Sequence, residues 1–296
     1  MVTRVEPFAF QPACRTRLNL SRVFSCPKNR ARIQNSITST VMNPCSNSSL
    51  SSTGCGPFEA SPSSVVSATS FELSSVAFFG RSFAEYARFF SVDAGSLRGR
   101  NVLDVAAGPS AFTATATRLG IRATAVDPLY GCSPETLSTH VQLDYARTVA
   151  QMRAKPEMFR LKSFASIDQA ERDRRAAAEE FLADYEAGFL DNRYVGGALP
   201  RLPFADGSFD LVLCAHLLFI YERLFDYAFH LAACRELMRV GRGEVRIHPV
   251  CGPDGRPYAA LDRLRADLAA ENIRSEVAAV DYEFFKGSTT TLVLKA

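Results

Sequence analysis

The 296-residue chain has no apolar run near the roughly 18 residues that a membrane span needs. The longest, Leu211 to Tyr221, is broken by His216 and reads as a buried strand running into a loop, so a soluble protein with no membrane span is expected. Cys-x-x-Cys is also missing. Cys14, Cys26, Cys45 and Cys55 stand at gaps unlike any zinc pattern, and Cys132, Cys214, Cys234 and Cys251 are scattered. Neither a disulfide framework nor a metal site is expected. Cys214 and His216 form a lone Cys-x-His, and buried thiols in a reducing compartment are the better reading. Acid is scarce at the start. Residues 1–60 hold seven Arg or Lys against Glu6 and Glu59, leaving 27 basic and 29 acidic residues in the rest. That remainder has no positive excess of the kind nucleic-acid binding calls for.

Residues 1 to about 65 lack apolar periodicity and are rich in Ser, Thr and Asn. An acid-poor, hydroxyl-rich leader without a compact apolar segment reads as an organelle transit peptide rather than a secretory signal. Hydroxyl residues far outnumber Arg, which favours chloroplast over mitochondrion; a plain disordered tail is the alternative. The folded domain is expected over 66–296, with order beginning near Phe71.

Within it, Phe79, Phe83, Tyr86 and Phe90 recur at helical spacing. Asn101 to Val105 is a short strand, followed by a small-residue turn and a helix from about Ser110 to Leu119. Ile121 to Val126 is the next strand. A long insert, 131–193, separates it from Tyr194-Val195 and carries two helical patterns, one through Leu137, Val141, Tyr145 and Met152, the other from Asp168 to Tyr185. Phe209 to Cys214 and Glu244 to Pro249 are strands, with helices marked by Phe225 to Leu237 and Leu261 to Leu268. Two last strands, about 276–284 and 289–295, are linked only by Phe285 to Ser288 and must run antiparallel. The pattern is α/β: an open, seven-stranded, mostly parallel sheet with an antiparallel terminal strand, helices on both faces and a helical insert after the second strand.

The segment Val102-Leu-Asp-Val-Ala-Ala-Gly-Pro-Ser110 resembles the first motif of class I S-adenosylmethionine-dependent methyltransferases, an acid followed by Gly-x-Gly-x-Gly. The three glycine positions are Ala106, Gly108 and Ser110, all small, as a backbone passing close to a cofactor requires. Asp127 closes the second strand; the resemblance implies that it accepts the cofactor's ribose hydroxyls. Leu202-Pro-Phe-Ala-Asp-Gly-Ser-Phe-Asp210 is similar to the family's fourth-strand segment, and Arg235 to Arg246 to the helix, turn and strand after it, with Gly241-Arg242-Gly243 in place of the usual turn. The acid that often follows the third strand has no counterpart at Gly196-Gly197-Ala198. The resemblance covers about residues 75–296 and is nearest to an uncharacterised methyltransferase-like subgroup.

It implies S-adenosylmethionine as cofactor, held by Asp104, Ala106, Gly108, Ser110, Asp127 and Cys214, with His216 and Tyr221 as candidate catalytic groups. His216 lies just past a strand, at the carboxyl edge where open α/β sheets bind ligands. Asp210 reads as a structural acid and His230 as a hydrogen-bonded core residue; Tyr86 or Phe79 is a candidate cover for the cofactor. A lid formed by the insert would use Tyr145, Phe181 and Tyr185 as apolar contacts. A small-molecule substrate is preferred over a protein, and no nucleic acid is expected. Two rivals stand beside this reading. An NAD-type oxidoreductase is disfavoured because Pro109 lacks a pyrophosphate-binding N–H and Asp104 puts a carboxylate there. A non-catalytic binding or assembly factor on the same fold is the other.

Overall fold

The computed structural model describes residues 75–296; the expected leader and the first ordered residues near Phe71 lie outside the described residues. Seven strands form one sheet in the order β3-β2-β1-β4-β5-β7-β6. They are β1 (Asn101–Val105), β2 (Arg122–Asp127), β3 (Tyr194–Gly196), β4 (Phe209–Ala215), β5 (Gly241–His248), β6 (Arg274–Ala279) and β7 (Thr290–Lys295). β1 pairs parallel with β2 and β4, whereas β7 is antiparallel to both β5 and β6. From β1 the chain moves outward to β2 and β3, then crosses back to β4 on the other side. That reversal opens a crevice at the carboxyl ends of β1 and β4, the place where such sheets take ligands.

Side chains alternate across the strands. Leu103 and Val105 of β1 and Val212 and Cys214 of β4 pack in one cluster with α6 (Tyr227–Val240) and α7 (Leu261–Ala270). Val102, Leu211 and Leu213 pack on the opposite face, with α1 (Phe83–Phe89), α2 (Ala94–Leu97) and α3 (Phe112–Arg118). α1 starts where Ser82 and Glu85 bond each other's backbone N–H in a capping box. Phe79 therefore lies before the helix, in an extended segment, and not on the expected helical stripe. Asp210 holds the start of β1 by accepting from the Asn101 N–H at 2.8 Å, and it pairs with Arg242, whose hydrogen bond pulls its pKa down to about 2. It is the structural acid that the sequence suggested.

The insert is a pair of long helices, α4 (Pro134–Ala154) and α5 (Ile167–Leu190), each begun by a serine cap, Ser133 and Ser166. Two boundaries differ from expectation. Gly241-Arg242-Gly243 is no turn: α6 ends at Val240 and β5 begins at once. Gly243 is needed there because a Cβ would come 2.4 Å from the Asp210 carbonyl oxygen. β6 stops at Ala279, so the link to β7 runs from Val280 to Thr289. Tyr282 and Phe284, strand-like by residue type, are buried in the core by the α1 face instead. Among the described residues no helix is long and apolar enough to cross a membrane.

Candidate functional site

The crevice is a cavity of about 420 Å³ lined by the ends of β1, β2 and β4 and by residues 76–79 and α4. Asp127 stands at the end of β2. Its two carboxylate oxygens accept from the N–H groups of Leu129 and Gly108, each at 3.0 Å. Burial pushes its pKa up to about 6, against the pull of those two N–H groups. Each oxygen keeps a second lone pair for a hydroxyl donor. Gly108 sits at φ +55, the left-handed region, and lines the cavity; a Cβ there would be in ordinary contact, at 3.8 Å, with the Phe78 ring and the Phe79 nitrogen. Ala106 adopts φ +56 in the same turn, a conformation that strains a residue bearing a Cβ. Gly197 and Ala198, after β3, complete this wall.

Three of the expected cofactor residues do not line the cavity. Asp104 is fully buried, because alternation turns it, with Val102, to the α1 face. There its Oδ1 accepts from the Tyr86 hydroxyl at 3.0 Å while Oδ2 has no partner. Burial raises its pKa well above the ordinary carboxylate value. Ser110 donates to the Arg81 carbonyl and accepts from the Phe112 N–H, tying the turn to residues 80–81 and starting α3. Cys214 is a core thiol on the α6 face, its pKa raised by burial.

His216 does reach the cavity. It follows β4 at φ +52, its N–H donating to the His248 carbonyl at 2.6 Å. Its Nδ1 is buried without a partner. Burial, then the charge of Arg81, lowers its pKa well below the ordinary value, so the ring is neutral. A strained residue at a strand end with an unsatisfied ring nitrogen is the kind of feature that function retains. Tyr221 lines a second, smaller cavity beside the first: its hydroxyl accepts from the Ala77 N–H at 3.0 Å, and burial raises its pKa. It secures the 76–81 segment, as do Asp144, which accepts from the Phe78 N–H at 2.7 Å, and Tyr145, which accepts from Gly80 at 3.2 Å. His230 is satisfied within the core by the carbonyls of Asp226 and Leu218.

Of the two aromatic covers, Phe79 lines the cavity while Tyr86 is held underneath by Asp104. Tyr145, Phe181 and Tyr185 do not reach the ligand crevice. Phe181 and Tyr185 pack with Tyr130 and Tyr194, and all of these join one buried cluster that docks α4 and α5 on the sheet. The insert's contribution to the wall is instead His140 and Asp144 of α4. Sequence reading missed both. They stand one helical turn apart, but nothing in the local pattern separates them from other polar helix residues.

A second cavity, about 100 Å³, adjoins the first and shares Ala77, Phe79 and His216 with it. Its polar wall holds Arg81 and Arg174 together with Thr148, His216 and Tyr221.

A family model described as a methyltransferase domain matches residues 143–248, from α4 to the end of β5. An uncharacterized protein of Methanocaldococcus jannaschii is 29% identical over 217 residues, covering 73% of this chain and 94% of its own length. Among solved structures, a SAM dependent methyltransferase from Aquifex aeolicus has a TM-score of 0.36 at 14% identity, covering 67% of this chain and 83% of that one. A TehB-like SAM-dependent methyltransferase from Corynebacterium glutamicum has a TM-score of 0.37 at 16% identity, covering 70% and 85%.

Proposed function

We propose that this chain is a class I S-adenosylmethionine-dependent methyltransferase that transfers a methyl group to a small molecule bound beside His216, a reading supported by the match of residues 143–248 to a methyltransferase domain. The observation that carries this reading is the cavity at the carboxyl ends of β1, β2 and β4, with Asp127 at its wall and the Gly108 backbone open to it. The residues present fit the cofactor. Asp127 would accept the ribose hydroxyls, Gly108 would let the backbone approach, and Phe78, Phe79 and Leu129 offer apolar surface. When bound, the cofactor supplies a methyl group activated on a sulfonium.

Displacement at such a centre needs little covalent help from a protein. Holding the reactants at attack distance can supply roughly 7–11 kcal/mol of the barrier. A base matters when the acceptor carries a proton of high pKa; His216 is the ring at the cavity wall that would take it, with burial and the charge of Arg81 opposing its protonation. Tyr221 supports the site as a positioning residue, holding Ala77, which lines both cavities.

Calorimetric titration of the purified chain with S-adenosylhomocysteine tests the reading; one-to-one binding is expected, and a protein that binds none would end it. Hydrogen exchange in the same samples tests the insert as a lid. Because α4 lines the cavity through His140 and Asp144, added protection across 135–185 is expected on binding. Exchange there that ignores the ligand would leave the helices as fixed wall.

A further inference from the structure

We propose that the smaller cavity is the acceptor subsite and that it takes a small planar monocarboxylate, anchored at Arg81 with its hydroxyl or amine turned to His216. The proposal rests on the methyltransferase reading and deepens it.

Arg174 is 1% exposed and donates through Nε and Nη2 to Glu85 Oε1, at 3.1 and 2.8 Å. Tyr282 donates to the same oxygen at 2.8 Å, and Glu85 Oε2 accepts from the Ser82 N–H. Glu85 is thereby fully engaged and neutralises Arg174. Arg81 is the second guanidinium against the cavity. Its Nη1 donates to the carbonyls of Phe79 and Gly80, which carry no charge. Its Nε is buried with no hydrogen-bond partner and lies 3.9 Å from the occupied Glu85 Oε1. Two cations against one carboxylate leave one positive charge uncompensated at a cavity wall. Burying such a charge is unfavourable unless an anion joins it. Burial and the like charge of Arg174 lower the Arg81 pKa accordingly.

The surroundings narrow the chemistry. One unbalanced charge suits a monoanion better than a doubly charged phosphate, and a guanidinium pairs with a planar carboxylate in geometry as well as charge. Apart from Thr148, His216 and Tyr221 the rest of the wall is apolar, with Phe79, Met152, Ile220 and Phe284 among it, which suits a ligand with a flat, mainly apolar body. About 100 Å³ accommodates several water-sized groups, which limits it to a small ring compound. His216 borders both cavities and stands where donor and acceptor would meet. In the transfer, the His216 ring would take the acceptor's proton as the acceptor oxygen or nitrogen bonds the methyl carbon, and the carbon–sulfur pair would stay on sulfur.

The test uses 4-hydroxybenzoate and its neutral isostere 4-hydroxybenzamide, titrated by calorimetry into protein saturated with S-adenosylhomocysteine. The acid should bind at least tenfold tighter, and Arg81→Met should erase that preference while S-adenosylhomocysteine affinity stays within twofold. Should Arg81→Met fail to fold, Thr148→Glu serves instead: Thr148 lines the same cavity, and a carboxylate there should abolish acid binding. Equal affinity for acid and amide, or binding of neither, overturns the proposal while bound S-adenosylhomocysteine leaves the wider reading standing. Absence of S-adenosylhomocysteine binding fells the wider reading, and this one with it.

Discussion

The two adjoining cavities are built on opposite charges. The larger one has carboxylates on its wall, Asp127 and Asp144, beside backbone that glycine and alanine leave open. The smaller has guanidiniums, Arg81 and Arg174, set among aromatic rings; Arg174 lies 4.1 Å above the Phe284 ring. Only Ala77, Phe79 and His216 are common to both. Acidic groups suit a ligand that presents hydroxyls and cationic sulfur; basic groups suit an anion. His216, a neutral ring, stands at the boundary between the two.

The largest effect is expected on the basic side. Burial alone would raise the Glu85 pKa, but the charges of Arg174 and Arg81 prevail and hold it below the ordinary range. Arg174→Met removes one partner of this buried pair and should destabilise the fold by about 3–5 kcal/mol, read from denaturant unfolding. A loss under about 1 kcal/mol would mean that the cluster is not a structural unit.

At the shared wall, His216→Ala should lower methyl transfer by about 100-fold or more, within the usual range for loss of a general base. S-adenosylhomocysteine affinity should hardly change. Comparable losses in turnover and cofactor affinity would make His216 a cofactor support rather than a base.

On the acidic side, Asp127→Ala should weaken S-adenosylhomocysteine about tenfold or more, since hydrogen bonds to a charged group contribute about 1.5–3 kcal/mol each. Its pKa, raised by burial to about 6, sets the pH dependence. The carboxylate is ionised above that pH, so affinity should be flat above about pH 7 and fall by up to about tenfold per unit below 6. In the free protein the sign is opposite for stability. The raised pKa favours the folded state at low pH, and that contribution is lost as pH rises from about 4 to 6. An affinity unchanged between pH 5 and 8 would remove Asp127 from the ribose role.

The smallest effect separates the turn's shape from its chemistry. Ala106→Gly relieves the left-handed φ of +56 and should stabilise by about 0.5–1 kcal/mol, net of the extra chain entropy of glycine. That raises Tm by roughly 1–4 °C in a domain of this size. A lower Tm would show that the alanine methyl packs usefully at the turn.

Much of the architecture was legible because it rests on short-range rules. β1 was bounded from Asn101 to Val105 by its apolar run and the turn after it, and the two insert helices by their spacing of buried residues, such as Leu137, Val141 and Tyr145. The antiparallel end was legible because no crossover fits so short a link. The ends of β6 and β5 were not. Tyr282 and Phe284 have strand character locally, but burial against the α1 face and the hydrogen bond to Glu85 take them out of the sheet.

The site divided along the same line. Residue type and position at a strand end were enough to single out Asp127, Gly108 and His216, since strand ends at a switch point face the crevice in any sheet of this order. Asp104 and Cys214 satisfied the same motif logic, yet alternation sends them to opposite faces, one under Tyr86 and the other under α6. Whether a strand residue lines a cavity or a core depends on which helix covers its face, which the motif does not encode. The basic cavity belongs wholly to tertiary structure. Glu85, Arg174 and Tyr282 lie far apart in the chain. These groups combine only when α1, α5 and the β6–β7 link pack together, and only that packing sets two guanidiniums, Arg81 and Arg174, against the one Glu85 carboxylate.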